Sequence, residues 1–143
     1  MKAVKVLAIV AVVYVGIVVV FESMLGYSQR QGPTTIVITT KDDAGNPHKR
    51  VVVRLTSNDA LYVAANHWPR AWYRQALKDP HVLVTTNGVD APYLAVAVPE
   101  AEEDRVNSEN PHGLVFRLLT GFAPRHFLRL DPQAPEAASA PAS

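Results

Sequence analysis

The pattern of polarity divides the chain sharply near its start. Val6 to Phe21 reads VLAIVAVVYVGIVVVF, 16 residues without a charge, and from Ala3 onward the apolar run is broken only by Lys5. A helix that crosses a bilayer needs about 20 such residues, with ~17 as the lower end. Lys5 lies one turn from the end, where a long side chain reaches the headgroups. The many β-branched residues are no obstacle, because a segment in lipid must close its backbone hydrogen bonds internally. Residues 1–25 are therefore expected to form a transmembrane anchor that contacts membrane lipid through residues 3–25. A cleaved signal peptide is the competing reading. Against it, the uncharged run is long, and Glu22-Ser23-Met24-Leu25-Gly26 offers no small-x-small cleavage site. Lys2 and Lys5 precede the span and Glu22 follows it, so the positive-inside rule places the N-terminus in the cytoplasm and the rest of the chain outside.

Beyond a linker over residues 26–33 the period changes to that of strands. Thr34–Thr40 (TTIVITT) is β-branched at every position, a strand signal. In Arg50–Thr56 (RVVVRLT), Val51, Val53 and Leu55 share one face, with Arg50, Val52 and Arg54 on the other. Ala60–Ala65 is a third strand, and these three are expected to form an antiparallel meander. Asp42 to Pro47 and Ser57-Asn58-Asp59 are dense in turn formers. Pro69–Lys78 reads as a short helix with Pro69 in its first turn, ended by Asp79-Pro80. His81–Thr86 and Ala91–Val98 flank Asn87-Gly88, the strongest short hairpin signal. Pro99–Asn107 opens with proline and early acids, as helices do. Leu114–Thr120 fits helix or strand, and His126–Leu130 is the last strand. Five or six strands with a helix after the third predict a mainly β fold, a small antiparallel barrel over residues 34–132. Residues 133–143 (QAPEAASAPAS) cannot bury a core and are expected to be a disordered tail.

Charge narrows the partners. The 143 residues carry 14 Lys and Arg against 13 Asp and Glu. Setting aside Lys2, Lys5 and Glu22 leaves 12 of each beyond the anchor, so bulk electrostatics selects no partner and nucleic acid is not expected. Cysteine is absent, which excludes a disulfide, a thiolate metal site and a cysteine nucleophile. The signatures of phosphate-binding loops, dinucleotide folds and zinc proteases are missing. The five histidines show no ligand spacing, so no metal is expected. Glu100, Glu102, Glu103 and Asp104 read as a solvated first helical turn.

The segment richest in chemistry is Asn66–Tyr73 (NHWPRAWY). Trp and Tyr supply rigid apolar area with one polar tip, and a nearby Arg holds a phosphate or stacks on a ring. Trp72 and Leu77 fit a helix anchored in the core. Trp68, Arg70 and Arg74 fit a binding site.

The same residues carry a resemblance. Trp72-Tyr73-Arg74-Gln75-Ala76-Leu77-Lys78-Asp79-Pro80-His81-Val82-Leu83-Val84 resembles the W-Y-x-N-L-x-x-x-P-x-V-x-V stretch of the deazaflavin-dependent nitroreductases, a branch of the split β-barrel proteins related to pyridoxamine-phosphate oxidase. Ile36 to Thr40, followed by Gly45 and Pro47, is similar to that family's opening strand and turn. Leu61 to Ala65 falls at its third strand, and Arg125 to Pro132 at its closing strand. The likeness runs in order from Thr34 to Pro132. It departs at Lys41-Asp42-Asp43-Ala44-Gly45, where the family carries basic residues before its Ser-Gly; carboxylates there repel a phosphate. Asn66-His67 replaces a double glycine, and Gln75 replaces an asparagine.

The resemblance implies a six-stranded split barrel, commonly a homodimer. It implies an oxidoreductase that passes a hydride from a reduced 8-hydroxy-5-deazaflavin coenzyme or FMN to a quinone or nitroaromatic. Lys49, Arg50, Arg54, Asn66, Trp68, Arg70, Arg74 and Gln75 would then surround the cofactor, and Tyr73 would act catalytically as a hydrogen-bond or proton donor. The alternative is a membrane-tethered barrel that has lost its cofactor and binds a small ligand or partner protein, a reading favoured by Asp42 and Asp43.

Overall fold

A computed structural model describes residues 1–27, 32–66 and 70–134. The β-branched segments form two strands, β1 (Thr35–Lys41) and β2 (Pro47–Val53), paired antiparallel with Ile36 opposite Val52 and Thr40 opposite His48. Arg54 then breaks the extended run. β3 (Leu55–Ser57) begins immediately after it and pairs with β4 (Ala60–Asn66) through a turn in which Asn58 and Asp59 both take positive φ. Two consecutive left-handed residues twist a two-residue hairpin in the sense that strands prefer.

The helix α2 (Ala71–Lys78) follows, then β5 (His81–Thr86) and β6 (Val89–Ala97) around Asn87 and Gly88, both at positive φ. Helices α3 (Glu100–Glu109) and α4 (Leu114–Leu119) precede the last strand, β7 (Arg125–Pro132). The seven strands run in the order β2-β1-β5-β6-β7-β4-β3, every pair antiparallel. β2 and β3 stand at opposite edges of this order, although only Arg54 separates them. The sheet therefore curls until its edges approach at that residue, and the Arg54 N–H donates to the Thr34 carbonyl at 2.9 Å.

This corrects two expectations. Arg50–Thr56 is not one strand, and the first three strands are not a meander, because the chain hands over from one edge of the barrel to the other at Arg54. The described sheet has seven strands rather than six for the same reason. Leu114–Thr120, open between helix and strand, is the helix α4.

The inward positions of the curled sheet make the core: Ile36, Ile38, Val52, Val63, Val82, Val84, Leu128 and Leu130, with Trp72 and Ala76 of α2 packed among them. A second cluster lies on the other side of β4 and β7, where Val106 of α3 packs on Leu55, Tyr62 and Phe127. Alternation puts Phe127 and Leu128, neighbours in sequence, in different clusters.

The N-terminal helix α1 (Lys2–Tyr27) is long and apolar enough over Lys2–Met24 to cross a membrane, and none of that window is buried in the protein. It touches the domain along α4. The Tyr14 hydroxyl donates to the Leu118 carbonyl at 2.6 Å, and the Phe21 and Phe116 rings meet edge to face.

Candidate functional site

α2 places its residues in three directions, because each step turns the helix by ~100°. Trp72 and Ala76 point into the barrel and are buried. Ala71, Arg74, Gln75 and Lys78 face the β1–β2 hairpin. Tyr73 projects away from that side, half-buried against the core, with its ring 6.0 Å from those of Trp72 and His126. The helix is held to the sheet by Thr40, which is wholly buried and donates its hydroxyl to Gln75 Oε1 at 2.7 Å.

Between α2 and the hairpin lies a cleft of about 460 Å³ lined by His48, Lys49, Arg50, Arg70, Ala71, Trp72 and Gln75. The register explains the cations. His48 and Arg50 stand opposite Thr40 and Ile38 on the inward side of β2, where the barrel mouth meets α2. Arg70 stands just ahead of the helix in an extended conformation. A second cleft of about 530 Å³ adjoins along Ala71 and Gln75 and is lined by Asp42, Asp43, Ala44, Arg74 and Lys78 as well. The first is cationic; the second pairs two acids with two bases.

The carboxylates are engaged within the chain. Asp42 accepts from the Ala44 N–H at 3.0 Å and the Asn46 N–H at 2.9 Å, and its other oxygen is 2.9 Å from His48 Nε2. The His48 contact, and then Asn46, hold its carboxyl well below the usual carboxylate range. Gly45, at φ +83°, lets the chain close this turn. Asp43 pairs with Lys78 of α2. Both acids are thus held by partners within the chain, and Asp42 remains a carboxylate.

Among the residues that the sequence singled out, the structure gathers Lys49, Arg50, Arg70 and Gln75 in the first cleft and puts Arg74 in the second. Arg54 is exposed at the break between β2 and β3 and lines neither. Asn66 ends β4, opposite Arg125 in the ladder. Trp68 lies outside the described residues. Tyr73 stands beside the clefts without lining them, and its phenol is kept protonated to higher pH by burial and by the Glu103 charge. His48, which the sequence offers beside Lys49 and Arg50 as replacement charge, lines the first cleft too, because the register that pairs it with Thr40 puts it under α2. Trp72 reads from the sequence as a core residue, and the structure makes it both core and lining.

The acids of α3 also depart from expectation. Glu102 is no solvated residue: its side chain is 16% exposed, accepts from the Tyr62 hydroxyl at 2.6 Å and pairs with Arg129 at 3.2 Å. Tyr62 foremost, then Arg129, depress its pKa. Glu103 accepts from the Phe127 N–H at 3.2 Å.

This curled sheet with a helix plugging its mouth is the split β-barrel fold, which the deazaflavin-reductase and pyridoxamine-phosphate-oxidase-like proteins share. No family model and no curated protein matches the sequence. Solved structures match its shape. A domain-swapped dimer aligns with TM-score 0.57 at 14% identity, over 78% of this chain and 93% of the other. HutZ, the heme storage protein of Vibrio cholerae, aligns with TM-score 0.52 at 14% identity, over 71% and 83%. An F420-H2 dependent reductase aligns with TM-score 0.50 at 16% identity, over 70% and 97%.

Proposed function

We propose that this protein is a membrane-anchored oxidoreductase whose cleft beneath α2 holds the phosphate-bearing arm of a deazaflavin coenzyme or of FMN. The observation that carries the reading is the gathering of His48, Lys49, Arg50 and Arg70 around one cleft that also exposes an edge of Trp72. The donor set fits an anionic group. Arg presents a planar fork that matches phosphate or carboxylate, and Lys adds a point charge. Gln75, fixed by Thr40, spaces the cationic cleft from the mixed one.

When bound, a reduced ring of this class supplies a hydride, and the protein's share is to bind and orient it. Tyr73 is the residue to which we assign the proton or hydrogen bond that an acceptor needs. Its phenol stays protonated at neutral pH, as that role requires. The acceptor we favour is a quinone or nitroaromatic, which partitions into lipid beside an anchored enzyme. Lys2–Met24 is the anchor, crossing once with the N-terminus in the cytoplasm.

A homodimer is part of the proposal. Val37, Val51, Val53 and Leu83 share the outer face of β1, β2 and β5, with Val53 and Leu83 43% and 44% exposed. The second reading is a barrel that binds its ligand without chemistry, and Asp42 and Asp43 in the adjoining cleft favour it.

The deciding experiment is a fluorescence titration of the full chain in detergent micelles, separately with FMN and with the deazaflavin coenzyme. Saturable micromolar binding of one is expected. No binding to either by a folded sample overturns the oxidoreductase reading.

A further inference from the structure

We propose that α4 and the turn after it, Leu114–Phe122, form a second membrane-seated element, submerged in the bilayer against α1. The proposal rests on the reading of Lys2–Met24 as the anchor.

The first observation is exposure. Among the described residues that follow α1, eight large hydrophobic side chains are exposed, and four of them are Leu114, Val115, Leu118 and Phe122, the first two at 72% and 71%. In water such a cluster within nine residues is unfavourable, and a contiguous apolar patch marks a contact surface.

The second is where this patch sits. It is continuous with the face of the anchor. Tyr14 bonds Leu118, the Val18 side chain lies 3.5 Å from where a Cβ on Gly121 would stand, and Phe21 meets Phe116. These contacts engage the middle and the second half of α1.

Length then decides. Among the described residues, the stretch of α1 before Tyr14 is exposed throughout, about 12 residues or ~18 Å of helix at 1.5 Å per residue. The hydrocarbon core is about 30 Å thick. With α1 docked as it is, the anchor spans only if Tyr14 to Phe21 also lie in lipid, and α4 goes in with them.

The third observation is that α4 is built for such a place. In lipid every backbone polar group needs a partner from the protein. The Phe116 carbonyl accepts from the Thr120 N–H at 3.0 Å and its hydroxyl at 2.9 Å. The Arg117 carbonyl accepts from the Phe122 N–H at 2.8 Å and the Thr120 hydroxyl at 3.1 Å. The Leu118 carbonyl accepts from the Gly121 N–H at 3.2 Å and the Tyr14 hydroxyl at 2.6 Å. Three of the last four carbonyls of the helix thereby have partners within the protein, and Gly121 and Phe122 at positive φ make that turn. Arg117 lies over the Phe122 ring at 5.4 Å, a posture from which its long stem can carry the charge toward the headgroups.

The chain has no cysteine, so single reporters are easily placed. Ile9→Cys, Val115→Cys, Phe122→Cys and, in the β5–β6 turn, Val89→Cys are each spin-labelled in the full chain. The labelled chains are reconstituted into vesicles of phosphatidylcholine and phosphatidylglycerol. All four positions are exposed, so a label leaves the fold intact. Collision with oxygen, which concentrates in lipid, is compared with collision with a water-soluble nickel chelate. We expect Val115 and Phe122 to follow Ile9, with an oxygen-to-nickel ratio several-fold above that at Val89. If Val115 and Phe122 instead match Val89 while Ile9 reads as lipid, the proposal is overturned and the anchor stands. If Ile9 also reads as aqueous, the anchor reading falls and the proposal with it. If Val115 and Phe122 are shielded from both reagents, protein covers the patch, a second copy being the simplest source, and the proposal is again overturned.

Discussion

α2 and α3 are both short helices laid against the same barrel, yet the charges around them are arranged differently. Around α3 the charged groups answer one another. Glu102 meets Tyr62 and Arg129, Arg129 also bonds Asp131 at 2.8 Å, and Arg105 reaches Ser57 at 3.2 Å. Around α2, Asp42 meets His48 and Asp43 meets Lys78, but Lys49, Arg50 and Arg70 also gather with His48 along an open cleft. The helices differ in what lies beneath them. α3 packs on the outer face of β3 and β7, with Val106 against Leu55, Tyr62 and Phe127. α2 sits at the mouth of the barrel, where the β1–β2 hairpin stands off from it. Charges held face to face become structure, and charges lining a gap carry the function proposed above.

The contrast can be broken first from the α3 side. Phe127→Ala should destabilise the fold by ~3–5 kcal/mol, since it empties the cluster beneath α3. Chemical denaturation of the full chain in micelles measures this. Below the transition, ligand binding at the α2 cleft should persist.

Next comes the cleft itself. Lys49→Ala combined with Arg70→Ala should weaken binding of a phosphate-bearing cofactor by about 2 kcal/mol, some thirtyfold, the worth of charge-assisted hydrogen bonds. Stability should move by less than ~0.5 kcal/mol, as for surface substitutions. An unchanged affinity in the titration would remove the cleft from the proposed function. Tyr73→Phe makes the complementary test: the turnover rate of a quinone should fall while cofactor affinity holds.

Tyr62→Phe should cost about 1–2 kcal/mol, because it takes one partner from Glu102 and one from Arg105. Cofactor affinity should not change, which sharpens the separation of the two helices.

The smallest effect is in pH. The folded chain holds the Glu102 pKa below its ordinary value, so it contributes stability above about pH 4.5 that is lost as pH falls through the folded value. The stability gap between the natural chain and Glu102→Gln should therefore be widest near neutrality and shrink below about pH 4. A gap independent of pH would mean that Glu102 is not held ionised by Tyr62 and Arg129.

Much of this molecule is written in local pattern. The apolar helix, the β-branched strands, the Asn87-Gly88 hairpin and the helix ending at Asp79-Pro80 all follow from period, turn chemistry and proline, which act over a few residues. The cations near α2 were legible too, because they cluster in sequence around the hairpin and the helix start.

Other features arise only when distant segments meet. Arg54 divides a strand that reads as continuous, because closing the barrel sends β2 and β3 to opposite edges. Glu102 reads as a surface acid until β4 and β7 bring Tyr62 and Arg129 to it, across 40 and 27 positions of sequence. Asp42 reads as an open carboxylate until its own turn folds around it. Tyr73 and the clefts were expected as one site, and the turn of a single helix points them in different directions. Local sequence determined the elements and their faces. Closure of the sheet decided which charges find partners, because ion pairing depends on distances that only the packed chain sets.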